Sequence, residues 1–287
     1  MNEGKKQAMK IIYTSESQMR SPGQLYRSMW RDLKDSRELA WSLFKRDFLS
    51  RYRKSILGIF WAFLPPIATG IVFIILQAKN VVNFGETDIP YPVYVLVGTT
   101  LWQLFTESVT APLNSVKSSI AMLAKINFPR EALFVSAFYQ VLLNLGIKAI
   151  VIAGVFVYFR VPPTTGLLVA PVAVLILISL GFSIGLFLTP VGVLYDDISS
   201  GLPIVTQIWF FLTSVVYPSP KTYPFSLIAN INPVNPILNG VRDLATKGVL
   251  HDFPIFITIS IMTGVGLLLA WVLYRLAMPI IIERMSA

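Results

Sequence analysis

The chain has no cysteine, which excludes disulfides, thiolate metal sites and a thiol nucleophile. It has one histidine, His251, among Leu250, Asp252 and Phe253, with no metal-ligating or acid–base partner apparent in sequence. His251 is expected to be an ordinary loop residue, and neither a metal site nor a catalytic residue is expected in the chain. Charge is also scarce: 14% of the 287 residues are Asp, Glu, Lys or Arg, against about 25% in a soluble domain. No G-x-x-x-x-G-K-[ST] loop or other phosphate cradle occurs, so any ATP that drives this protein must bind another subunit. No secretory signal peptide is expected either, because the first long apolar run starts near residue 57, behind a charged arm, and should itself direct insertion.

What is present is apolar. Hydrophobic residues make up 54% of the chain, mean hydropathy is +0.65, and the expected class is an all-α integral membrane protein. Six runs are long enough to cross a bilayer, which takes about 20 residues. They lie near 57–77, 92–112, 133–158, 167–191, 201–217 and 254–275. The chain accordingly divides into a basic arm, 1–54, and a six-helix membrane domain, 55–287. The arm holds thirteen Lys/Arg against six Asp/Glu, seven of the net nine positive charges. An unbroken membrane domain follows it, so this charge reads as positive-inside signal and anionic-lipid contact, not as a nucleic-acid surface. With the N-terminus inside, eighteen Lys/Arg fall on the cytoplasmic side and five outside, which puts both termini in the cytoplasm.

Within the charged segment from Gln24 to Lys54, Asp35 and Glu38 resemble a capping box. Leu39, Trp41, Phe44, Phe48 and Tyr52 then recur at helical spacing, with Arg37, Lys45, Arg46 and Arg53 among them. That pattern predicts an amphipathic helix in the membrane interface, or one packed on a soluble partner. Between the second and third spans, 113–132 reads as a loop carrying a short helix from Ser115 to about Lys125 that stops before Pro129. The segment 218–253 is broken by Ser219-Pro, Tyr223-Pro, Asn232-Pro and Asn235-Pro, yet its 225–231 and 237–245 stretches are apolar. Two short helices joined by Asn232-Pro-Val-Asn-Pro236 are expected, as a re-entrant hairpin between spans five and six or as a surface loop.

Two ionisable residues fall inside spans, Glu107 and Lys148. Counted from the cytoplasmic span ends, Glu107 lies about 8 Å deep and Lys148 about 22 Å, at 1.5 Å per residue. A gap of about 14 Å is too wide for an ion pair, so Glu107 is expected at the cytoplasmic interface and Lys148 toward the bundle interior or a lumen. Aromatics are plentiful, including Trp61, Phe63, Trp102, Phe105, Phe138, Tyr139, Trp209, Phe210, Phe211 and Trp271. Sugars pack well on such rings. Some of these rings could line a glycan path, although for any single ring a core, lipid-facing or interfacial position is the simpler reading.

Four blocks, taken in order, make the chain resemble the permease subunits of bacterial polysaccharide ABC exporters of the type-2 family, which export O-antigen, capsule or teichoic acid. They are Lys45–Pro65; Leu101-Trp-Gln-Leu-Phe105 continuing to Lys125-Ile-Asn-Phe-Pro-Arg130; Tyr195-Asp-Asp-Ile198 followed by Gln207–Pro218; and Asn232-Pro with Arg242. The resemblance implies a homodimeric pore in the bacterial inner membrane with two separate ATPase subunits, which carry the ATP and Mg; no cofactor is expected in this chain. It implies ATPase coupling through Lys125, Phe128, Pro129, Arg130 and Glu131. It also implies entry of a lipid-linked polysaccharide, undecaprenyl-type, at Arg51, Arg53 and Lys54, whose cations suit a phosphate head. The polymer would then pass Trp61, Trp102, Phe105, Tyr139, Lys148 and Trp209, and an outer loop would carry Asn232, Pro233 and Arg242. Two positions depart from the family: Asp196 stands where Arg is usual, and Thr213-Ser214 where Thr-Pro is frequent. The alternatives are export of a smaller lipid or drug, and a membrane glycosyltransferase using Asp196-Asp197, a pair that helix capping explains more simply.

Overall fold

The computed structural model describes residues 22–53, 60–61, 63–79, 81, 87–123, 128–220 and 222–286. They form ten α-helices in chain order: α1 Pro22–Asp35, α2 Arg37–Arg53, α3 Leu64–Ala78, α4 Tyr91–Leu123, α5 Glu131–Tyr158, α6 Ala170–Leu194, α7 Asp196–Leu212, α8 Phe225–Ile231, α9 Val234–Thr246 and α10 Phe253–Ser286. A 3₁₀ turn, Thr165–Leu168, precedes α6. The described residues contain no strand. Three helices, α5, α6 and α10, are long and apolar enough to cross a membrane, and α3 is a shorter apolar helix of 15 residues.

Several expected boundaries move. The helix in the first apolar run starts at Leu64, because Pro65 and Pro66 occupy its first turn, where a missing N–H costs nothing. The loop expected after the second span does not exist up to Leu123, since α4 runs unbroken for 33 residues with Pro112 inside it. At 1.5 Å per residue α4 is about 50 Å long, well beyond the roughly 30 Å hydrocarbon core of a bilayer. The stretch between the fourth and fifth expected spans, 192–200, is likewise helical except at Tyr195, whose extended backbone (φ −124°, ψ 116°) alone separates α6 from α7. The fifth run ends early, at Leu212.

The bundle is centred on α4 and α6. Gly181 and Gly185, four residues apart on α6, bring its backbone against Phe105, Ser108, Val109 and Pro112 of α4. Small residues at this spacing let two apolar helices approach closely where lipid supplies no hydrophobic drive. A second cluster closes the end of the bundle that carries the arm. Ala40 and Leu43 of α2 are buried there with Leu113, Val116, Ala132, Leu133, Tyr274 and Met278. Burying a leucine such as Leu43 contributes about 2 kcal/mol where the alternative is water. The arm helix therefore docks on the bundle through its small aliphatic face, while Trp41 stays half exposed. No capping box forms at its start: Ser36 donates its hydroxyl to Leu33, and backbone bonds from Ser36 to Asp32 and from Ala40 to Ser36 carry helical bonding across the joint.

Candidate functional site

Three polar constellations interrupt the apolar bundle. At the arm end, Arg275 of α10 is 7% exposed and bridges two segments remote in sequence. One guanidinium nitrogen donates to Glu131 at 2.5 Å; the other donates to Asp32 at 2.6 Å and to the Ser28 hydroxyl at 3.2 Å. One cation thus meets two buried carboxylates. Next to this clamp, Tyr274 donates to the backbone carbonyl of Arg130 at 3.2 Å. Of the expected coupling residues, Glu131 is consequently buried at 4% exposure, while Phe128, Pro129 and Arg130 are half-buried in front of it. Lys125 lies outside the described residues, as do Lys54 and the side chains of Arg51 and Arg53.

Midway along the bundle, Lys148 of α5 is 1% exposed and donates to Glu107 of α4 at 2.5 Å. The other Glu107 oxygen accepts from Asn144 at 3.1 Å. Glu107 and Lys148 do form an ion pair, which corrects the expected separation in depth. The earlier depth took residue 112 as the end of the span, but α4 continues to Leu123. Glu107 therefore sits 16 residues from its arm end and Lys148 sits 17 from the arm end of α5, about 24 and 26 Å along antiparallel helices.

The residues expected along the substrate path fall in different settings within this chain. Trp102 is 5% exposed and Phe105 is fully buried; both meet Trp209 edge-on, at 6.2 and 5.3 Å between ring centroids. These three rings pack α4 on α7 inside a single chain, so Trp102 and Phe105 present no surface to a lumen. Tyr139 lies beneath the arm helix, edge-on to Trp41 at 5.9 Å and to Phe44 at 6.2 Å. Trp61 alone among the six is largely exposed.

At the far end, α8 and α9 form the two short helices expected, but the joint is only Asn232 and Pro233, because α9 already starts at Val234 and takes in Asn235 and Pro236; their polar residues pin the chain that leaves α7. Asn232 accepts from the Trp209 indole at 3.1 Å and donates to the Thr213 hydroxyl at 2.8 Å. Asn235 accepts from the Ser214 N–H at 2.8 Å. Arg242, 3% exposed, donates to the carbonyls of Ser214 at 3.2 Å and Val215 at 2.9 Å, and its guanidinium lies 3.7 Å from the centre of the Tyr94 ring. Gly98 leaves the room: a side chain there would strike the Val215 carbonyl and the Arg242 guanidinium. These bonds explain why α7 stops at Leu212. Side chains satisfy the Ser214 and Val215 backbone groups that a longer helix would have paired internally. His251 sits 3.2 Å from Asp243 at this end. Asp196 at the start of α7 makes no capping bond and instead pairs with Lys117 of α4 at 2.5 Å.

Sequence reasoning missed Asp32, Arg275, Asn235 and Tyr94. Asp32 and Arg275 looked like ordinary flanking charges, and only burial in the folded bundle distinguishes them.

Comparison with known proteins follows the same path along the chain. The family profile described as ABC-2 type transporter matches residues 38–246, from α2 through α9. The chain is 25% identical over 245 residues to the O-antigen export system permease protein RfbA of Myxococcus xanthus, covering 84% of this chain and 92% of that protein. It is 26% identical over 228 residues to RfbA of Klebsiella pneumoniae, covering 77% and 86%. It is 22% identical over 244 residues to the polysialic acid transport protein KpsM of Escherichia coli, covering 82% and 91%.

Proposed function

Because this chain belongs to the ABC-2 type transporter family, we propose that it is the permease subunit of an ATP-driven exporter. Its cargo is a lipid-linked polysaccharide of the O-antigen or capsule type, carried across a bacterial inner membrane. The carrying observation is that relatives matched over most of both chains are named for O-antigen export or polysialic acid transport. In this reading two copies form the pore, six segments span the membrane and both termini are cytoplasmic. Two ATPase subunits dock at the arm end, and Arg51, Arg53 and Lys54 meet the phosphate head. The α8–α9 hairpin enters the outer leaflet, where its non-helical joint is shielded by protein.

The bonding around 128–131 supports a coupling role. Phe128, Pro129 and Arg130 offer a half-buried surface, and directly behind it Glu131 is locked to Arg275 and the Arg130 carbonyl to Tyr274. A push on this segment therefore reaches α5, α10 and the arm together.

The test is purification together with the product of the neighbouring gene, expected to be the ATPase, followed by reconstitution with lipid-linked polymer. ATP-dependent transfer of polymer across the bilayer is expected, and Phe128→Ala combined with Arg130→Ala should leave hydrolysis while abolishing transfer. Absence of any associated ATPase activity overturns the exporter assignment; normal transfer by the double variant removes the coupling role from this segment.

A further inference from the structure

The long helix α4 is amphipathic in the opposite sense to a lipid-facing helix. Its apolar faces are used up inside the chain: Phe105, Val109 and Pro112 pack on α6, Trp102 on α7, and Leu96 on Gly70 of α3. The remaining face, which meets α5 at Glu107 and is otherwise only partly covered, carries Gln103, Thr106, Glu107, Thr110 and Asn114, all half-buried except Asn114, which is exposed. Their spacing of three and four residues keeps them on one side of the helix over about three turns. Elsewhere the same molecule treats open faces differently. The exposed residues of α7 include Ile204, Val205 and Ile208, and those of α10 include Ile261, Leu268 and Leu269, as contact with acyl chains requires. A carboxylate and two amides turned toward acyl chains would be costly, so such groups face water or a partner.

We propose that this face of α4 lines the water-filled conduit through which the polymer passes, and that it holds sugar hydroxyls by exchangeable hydrogen bonds. The inference rests on the exporter reading above and names its path. The chemistry is suited to sugars. Lys148 and Asn144 occupy both oxygens of Glu107, so the carboxylate is neutralised and does not act as an ion trap. Thr106 and Thr110 return their protons to helix carbonyls and keep oxygen lone pairs outward. The amides of Gln103 and Asn114 have no hydrogen-bond partner among the described residues. The face therefore offers neutral donors and acceptors in a row, which a polyhydroxylated chain can exchange one for another as it moves.

The absence of cysteine makes the test direct. Gln103→Cys, Thr110→Cys and Asn114→Cys, made singly and assembled with the partner ATPase in vesicles, are exposed to a charged, membrane-impermeant thiol reagent. Leu269→Cys serves as the lipid-facing control. The three α4 sites should react at least about tenfold faster than the control, because only a thiol in contact with water forms the reactive thiolate. Loading the vesicles with lipid-linked polymer should suppress most of that labelling. Reaction at the control rate overturns the inference, since the face is then covered by lipid or protein. Fast labelling that polymer leaves unchanged also overturns it, as that marks a wet crevice off the path. Transfer by the unsubstituted chain in the same vesicles reads the exporter assignment separately, so dry α4 sites in transporting vesicles count against this inference alone.

Discussion

Two arginines are buried at opposite ends of this bundle, and they are compensated in opposite ways. Arg275 at the arm end is met by charge, with Asp32 and Glu131 both within 2.6 Å. Arg242 at the hairpin end makes no ion pair among the described residues. It is held by the Ser214 and Val215 carbonyls, the Asn239 amide oxygen and the face of Tyr94. The difference follows what each must fasten. Arg275 joins side chains on three helices that are each internally complete, so its partners must bring their own charge. Arg242 fastens backbone that has left a helix, and the carbonyls released at the end of α7 are its ligands. One arginine therefore ties elements together, and the other replaces part of an element.

That contrast predicts different responses to removal. Arg275→Met leaves two carboxylates buried around an apolar side chain and should destabilise the protein by about 3–5 kcal/mol. Adding Asp32→Leu and Glu131→Leu should recover most of the loss, because a buried ionic cluster is generally replaceable by apolar side chains. Thermal unfolding of the purified protein measures both, and failure of the triple variant to recover gives the cluster a role beyond joining helices. Arg242→Met should cost somewhat less, about 2–4 kcal/mol, as it strands neutral carbonyls. No second substitution can repair it, since those acceptors are main chain. Arg242→Lys should recover only part, because a single ammonium cannot reproduce the fork. Full recovery by lysine would mean that charge, not geometry, holds the end of α7.

How far the sequence carried depended on whether a residue's role was local. Helix α5 was legible almost to the residue, because an apolar run that ends at Pro129 and at Tyr158 has no competing reading. The extension of α4 past residue 112 was not, since a charged, serine-rich continuation looks like a loop until Val116 and Ile120 are seen packing on the arm cluster. That one boundary also hid the Glu107–Lys148 pair, because depth in a membrane is counted from helix ends. Arg275 closed an apolar run and so looked like a flanking charge. Its partners, 243 and 144 residues away, leave no periodicity to read. The Gly181/Gly185 spacing that marks the α4–α6 contact is local too, yet it was passed over, because two glycines in an apolar run do not say which helix approaches them.

The smallest effect belongs to the pair that fits neither pattern. Lys117 and Asp196 meet at 2.5 Å, but the Asp196 side chain is 94% exposed, so solvent and salt screen the interaction. The Lys117 hydrogen bond, then its charge, hold the Asp196 carboxyl below its ordinary value of 3.8. Any stability this adds is present above that value and is lost as pH falls through the depressed one, so the effect is confined to acid. At neutral pH, Asp196→Asn with Asp197→Asn should leave the thermal midpoint within measurement scatter and polymer transfer unchanged. The two carboxylates are adjacent in the first turn of α7, and an acid–base pair would need them converging on a shared, water-excluded centre. Loss of transfer with an unchanged midpoint would give the pair a chemical or coupling role, and would make this exposed bridge more consequential than either buried arginine.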